Sequence, residues 1–134
     1  MQISLKSPNP GVFFPFPGTK TDEDEGGITL RALNQETLTQ IENITTTKKK
    51  KFRGNTPYDD VKVDERRKEE LMWDYCIVSW ENLQDDDAGE EILCTKENKA
   101  LLMRKHFNFS VFVGDCIEQL TEFKEKQGET EAKN

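Results

Sequence analysis

One histidine and three cysteines are the side chains here best suited to covalent or metal chemistry, and their surroundings decide how far that chemistry can go. His106 is the only histidine, and Cys76, Cys94 and Cys116 are odd in number and widely spaced. A catalytic cysteine needs a neighbouring base that holds it as thiolate. No short motif surrounds any of the three, and two of them fall on apolar helical faces, where a free cysteine behaves as a small buried hydrophobe. One histidine without a CxxC pair makes no zinc ligand set, and an odd count suits reduced thiols better than a disulfide framework.

The stretch from Glu81 to Glu91 holds six carboxylates and no Lys or Arg, which raises the question of calcium. With Gly89 at the sixth position of an EF-hand loop, Gln84 comes first, Ala88 fifth and Thr95 last, so three key ligands are missing. A solvated turn is expected instead. Gly54 and Gly89 belong to no phosphate-cradling run, since neither GxGxxG nor GxxxxGK[ST] occurs. The chain is therefore expected to be non-enzymatic, with no cofactor and no metal.

Binding is the remaining chemistry. Trp73 and Trp80 are seven residues apart and share a face if one helix carries both; tryptophan is enriched at binding hot spots but is also common in cores. The basic run Lys48 to Lys51 with Arg53 has Phe52 as its one interleaved aromatic. It sits in a chain with 26 acidic and 19 basic residues, a formal charge of -7, and such a balance disfavours nucleic acid as a partner.

The elements that must position these groups follow from length and periodicity. A chain of 134 residues is long enough for one compact domain and too short for two ordinary ones, so one core is expected. Apolar and charged residues each make up 34%, which predicts a thin core, while eight Phe, two Trp and two Tyr argue against wholesale disorder. No run approaches the roughly 18 to 20 apolar residues of a membrane span, and no basic region followed by an apolar run opens the chain, so a soluble protein is expected.

Ile3 and Leu5, then Val12 to Phe16, then Ile28 to Ala32 read as short strands of a small antiparallel sheet, with Thr19 to Gly27 as an acidic connection. Asn34 caps a helix with Leu38, Ile41 and Ile44 on one face. Thr45 to Asp60 combines threonines, lysines, Gly54, Asn55 and Pro57 with few core-forming residues and reads as a linker or loop. Asp64 caps a helix reaching the vicinity of Trp80, although Tyr75 to Trp80 is rich enough in β-formers to be extended. Asp85 to Gly89 is a turn, and Ile92 to Cys94 a short return able to pair with Ile77 to Leu83. Thr95 caps the next helix, and Ser110 caps the last, whose stripe is Val113, Cys116, Ile117, Leu120 and Phe123. Each large aliphatic side chain buried there contributes roughly 1.5 to 3 kcal/mol before entropy and cavity effects.

The expected fold class is thus α+β, a small N-terminal antiparallel sheet followed by a mainly helical C-terminal half with three to four helices. One domain spans 1–127: a β-rich part with a short helix at 1–44, a basic linker or loop at 45–63 and a helical part at 64–127. A disordered tail at 128–134 follows.

Within this frame the succession Trp73-Asp74-Tyr75-Cys76-Ile77-Val78-Ser79-Trp80-Glu81-Asn82-Leu83, an acidic Gly-containing turn, Cys94-Thr95-Lys96-Glu97-Asn98-Lys99, and Phe107 through Leu120 resembles bacteriophage tail assembly chaperones. The matching features are an "IV-x-W-E-x-(I/V/L)" segment, the turn, a "T-x-E-N-K" helix start and a last helix opened by aromatics, with weaker agreement in the first half. The resemblance implies a protein of the bacterial host cytoplasm that binds the tape-measure protein, or another phage tail protein, and keeps it soluble during tail morphogenesis without nucleotide. It implies no nucleic-acid or membrane partner. Trp73, Trp80, Ile117 and Leu120 are the expected partner-binding residues. The alternative is a small structural virion protein, a tail-completion or neck component.

Overall fold

The computed structural model describes residues 10–17, 26–85, 87 and 89–132, with side chains as far as Thr121. Among the described residues the chain forms a three-stranded antiparallel sheet, a separate two-stranded hairpin and four helices, an α+β architecture as expected. Ile3, Leu5 and the expected Thr19 to Gly27 connection as far as residue 25 lie outside the described residues.

Strands β1 (Val12–Pro15) and β2 (Gly27–Leu30) pair as foreseen, with Phe14 opposite Ile28. The third strand comes from the middle of the chain. Helix α2 (Glu65–Cys76) stops where the sequence turns β-branched, and β5 (Ile77–Glu81) joins β2 with Ile28 opposite Trp80. Ile77 and Val78 lose side-chain freedom in a helix and fit a half-buried sheet, so the unpaired edge of β2 captures them. Of the two readings left open for Tyr75 to Trp80, the extended one holds from Ile77 onward, so Trp73 and Trp80 stand on different elements.

Helix α1 (Gln35–Thr45) begins as expected, with the Asn34 side chain accepting from the Thr37 amide at 2.7 Å. Its face is narrower than the sequence suggests, because Ile41 is buried but Ile44 is exposed. The segment expected as a linker is instead a hairpin, β3 (Thr46–Arg53) and β4 (Thr56–Val63), in register from Thr46–Val63 to Arg53–Thr56. Gly54 takes φ +61 at the first turn position, where a two-residue loop of the type that favours glycine requires it. The Asp64 amide donates to the Thr45 carbonyl at 2.8 Å and closes the base. Strand β3 carries no apolar alternation, since four successive lysines leave Phe52 as its one apolar residue.

The Asp64 side chain accepts from the Arg67 amide and opens α2, and Thr95 caps α3 (Lys96–Lys105) through the Asn98 amide. Helix α4 (Phe107–Ala132) starts three residues before the expected Ser110 cap, and the Ser110 amide already donates to the His106 carbonyl at 3.0 Å. It also runs past Gly128, where a tail was expected. Between the sheet and α3–α4 lies the core: Ile28, Leu30, Ile77, Trp80, Leu102, Val113 and Cys116.

Candidate functional site

The four residues expected to meet a partner all belong to the body. Trp80 is 6% exposed, with its ring edge-on to Phe109 at 6.1 Å and its indole N–H donating to the Ile92 carbonyl at 2.7 Å. Trp73 lies beneath the Arg104 guanidinium, 4.9 Å from the ring centroid. Ile117 and Leu120 are half-buried against the same core cluster.

What Trp80 holds in place is the wall of a groove. From Leu83 the chain makes a tight acidic loop: the Ile92 amide donates to the Leu83 carbonyl at 2.7 Å, Asp85 N–H to Glu90 at 2.8 Å and Gly89 N–H to Asp85 at 2.7 Å. Gly89 adopts φ +66 at its tip, and the Asp85 carboxylate accepts from the Asp87 amide. The expected return strand is thus reduced to one bridge, Gln84 to Glu91, with the bonds around it. At its far end the Asn98 side-chain amide donates to the Leu93 carbonyl at 2.8 Å, tying the loop to α3.

Between this loop and the corner of α3 and α4 opens a groove of about 860 Å³. Its apolar lining is Leu83, Ile92, Leu93, Leu101, Leu102 and Phe109, and Leu93 is 68% exposed. Asp85, Asp87, Glu90 and Glu91 stand around it; among the described residues no Lys or Arg lines it and none of the four has an ion-pair partner. A concave wall of one sign focuses potential into the groove. Sequence reasoning found the acidic turn but not the apolar side chains opposite it: in the sequence Leu101 falls within Ala100 to Met103, which read as the apolar face of the helix that Thr95 caps.

The other side chains weighed for chemistry are placed differently. Burial pushes the Cys76 thiol up to about 11, a rise that the nearby Arg31 charge opposes. Burial also raises the Cys94 and Cys116 thiols. Thiols with raised values are protonated at neutral pH and are poor nucleophiles. The charges acting on them come from Arg31, Lys99, Asp74 and Asp115 rather than from His106, which is exposed at the groove. Among the described residues no group of three His, Cys, Asp or Glu side chains is placed to hold a metal, and no helix is long and apolar enough to cross a membrane.

Behind the groove, α2 and α3 are clamped by charge. Lys99, nearly buried, places its ammonium 3.0 Å from the Asp74 carboxylate and 3.1 Å from the Asp74 carbonyl. Arg104 pairs with Glu69 at 3.1 Å and Glu70 at 3.4 Å. A smaller hollow of about 360 Å³ beside them is lined by charges of both signs, including Arg66, Glu70, Lys96 and Glu97. Mixed signs cancel, so the field there is weak.

No protein-family model matches the chain, and comparison with curated proteins and with solved structures finds no match in either.

Proposed function

We propose that this protein is a non-catalytic binding protein that holds a segment of a client chain in the groove between the 83–93 loop and the α3–α4 corner. In its specific form it is a phage tail assembly chaperone, and the client is the tape-measure protein. One observation carries the binding role: exposed Leu93 and Leu101 face a groove with four carboxylates and no Lys or Arg among its described lining residues. A soluble chain does not leave large apolar side chains beside a concave acidic wall without cost, and a segment with apolar and basic faces satisfies both. The groove replaces the Trp73–Trp80 region as the proposed client surface, because Trp80 is committed to the core. The specific identity rests on the sequence resemblance alone.

Co-expression with a tape-measure protein tests it. The client is expected to become soluble and to co-elute, and Leu93→Asp with Leu101→Asp is expected to abolish both while the variant keeps its melting temperature. A client that stays insoluble beside a folded, soluble chain overturns the chaperone role. Recovery of the chain from purified virions would then favour a tail-completion or neck component.

A further inference from the structure

The β3–β4 hairpin is a β-ribbon whose two faces differ in chemistry. Residues opposite one another in an antiparallel pair point to the same side. One face therefore carries Phe52, Val61 and Val63 together with Lys48 and Lys50, with Asp59 opposite Lys50, and the other carries Lys49, Lys51, Arg53 and Lys62 around Tyr58, with Asp60 opposite Lys49. Phe52 is 63% exposed, and Val61 and Val63 are exposed as well. Lys48, Lys49 and Lys50 have no ion-pair partner among the described residues.

Residues 46–63 hold six basic and two acidic side chains, +4, which leaves -11 for the rest of a chain whose total is -7. One molecule thus presents a basic ribbon with an apolar face and, elsewhere, an acidic groove with an apolar floor. Eight-residue strands extend roughly 27 Å, long enough to reach across to another molecule.

We infer that the hairpin of one copy docks into the groove of a second copy, Phe52, Val61 and Val63 meeting Leu93, Leu101 and Phe109 while Lys48 and Lys50 meet the groove carboxylates. The two patches are different surfaces, so the contact is heterologous and either closes into a ring or propagates. It needs no client and is independent of what the client is.

Sedimentation of the full chain over a concentration series, from roughly 0.1 M to roughly 1 M salt, tests this, since the Debye length falls from about 10 Å to about 3 Å across that range. Wild-type protein is expected to associate at low salt and to dissociate at high salt. Lys48→Glu with Lys50→Glu reverses the ribbon, and Glu90→Lys with Glu91→Lys reverses the groove. Each double variant, checked for an unchanged melting curve, is expected to weaken association at least about tenfold. An equimolar mixture of the two is expected to associate again, because each then offers the other a complementary surface. A wild type that stays monomeric, reversals without effect, or a mixture that fails to associate overturns the inference. Retardation of duplex DNA by a monomeric wild type, lost in the ribbon variant, overturns it and assigns the ribbon to nucleic acid.

Discussion

At the scale of single residues, the Lys99–Asp74 pair shows how charge is used inside a thin core. The ammonium is nearly buried while the Asp74 carboxylate is part-exposed, so solvent already screens one side of the pair. Removing the carboxylate leaves the ammonium with a carbonyl for company, whereas removing the charge itself leaves only a vacancy of similar shape. Asp74→Ala is expected to cost about 1 to 2 kcal/mol in urea unfolding and Lys99→Met less. A Lys99→Met variant at least as unstable as Asp74→Ala would reverse that order. Cys76 carries a pH dependence of definite sign. Its thiol is raised from 9.0 to about 11 in the folded chain, so its contribution is intact below pH 9 and is lost as pH rises through 11. About 2 kcal/mol of the alkaline loss is expected to disappear in Cys76→Ala, measured as unfolding free energy at pH 9 and pH 11. The burial of Cys76 and Cys116 was legible from helical spacing. Burial of Lys99 was not, since nothing local distinguishes it from the lysines that stay in water.

At the scale of elements, caps and periodicity located three helix starts, at Asn34, Asp64 and Thr95, because the capping bond is local. The α2–β5 junction and the hairpin were illegible for opposite reasons. Tyr75 to Trp80 suits helix or strand, and a partner strand some fifty residues earlier decides between them. In the ribbon the pairing is local but its signal is hidden, since lysine is a poor strand former and four stand in a row. A two-stranded ribbon is marginal alone. Gly54→Ala, at φ +61, is expected to cost the ribbon about 1 kcal/mol. Amide exchange across 46–63 should accelerate while the melting temperature of the body holds. Gly27→Ala acts on the body instead: an added methyl would meet the Phe13 ring and lie 2.6 Å from the Phe14 carbonyl oxygen. A loss of about 1 to 3 kcal/mol in global stability is expected from that overpacking.

At the scale of the whole molecule, the acidic body and the basic ribbon make one chain into two electrostatic partners. If a client segment and a neighbour's ribbon share one groove, they compete for it, and client binding is linked to disassembly. Titrating a cationic amphipathic client peptide into the associated protein is expected to lower light scattering towards the monomer value. Scattering that stays constant while the peptide binds would assign the two to separate surfaces. The net charge was read directly from composition, but its division between two surfaces depends on the ribbon being paired and on the loop folding back beside α3.

The hydrogen bond from Trp80 to Ile92 and the edge contact with Phe109 join an indole to two residues that line the groove. Emission colour depends on what surrounds the indole, so an occupant that shifts Ile92 or Phe109 is written into the fluorescence of Trp80 without any label. Trp73, the chain's other tryptophan, lies under Arg104 on the α2–α3 side and is not among the described residues that line the groove. The fold thus contains its own optical gauge of occupancy, and Trp73→Phe leaves that gauge with a single needle.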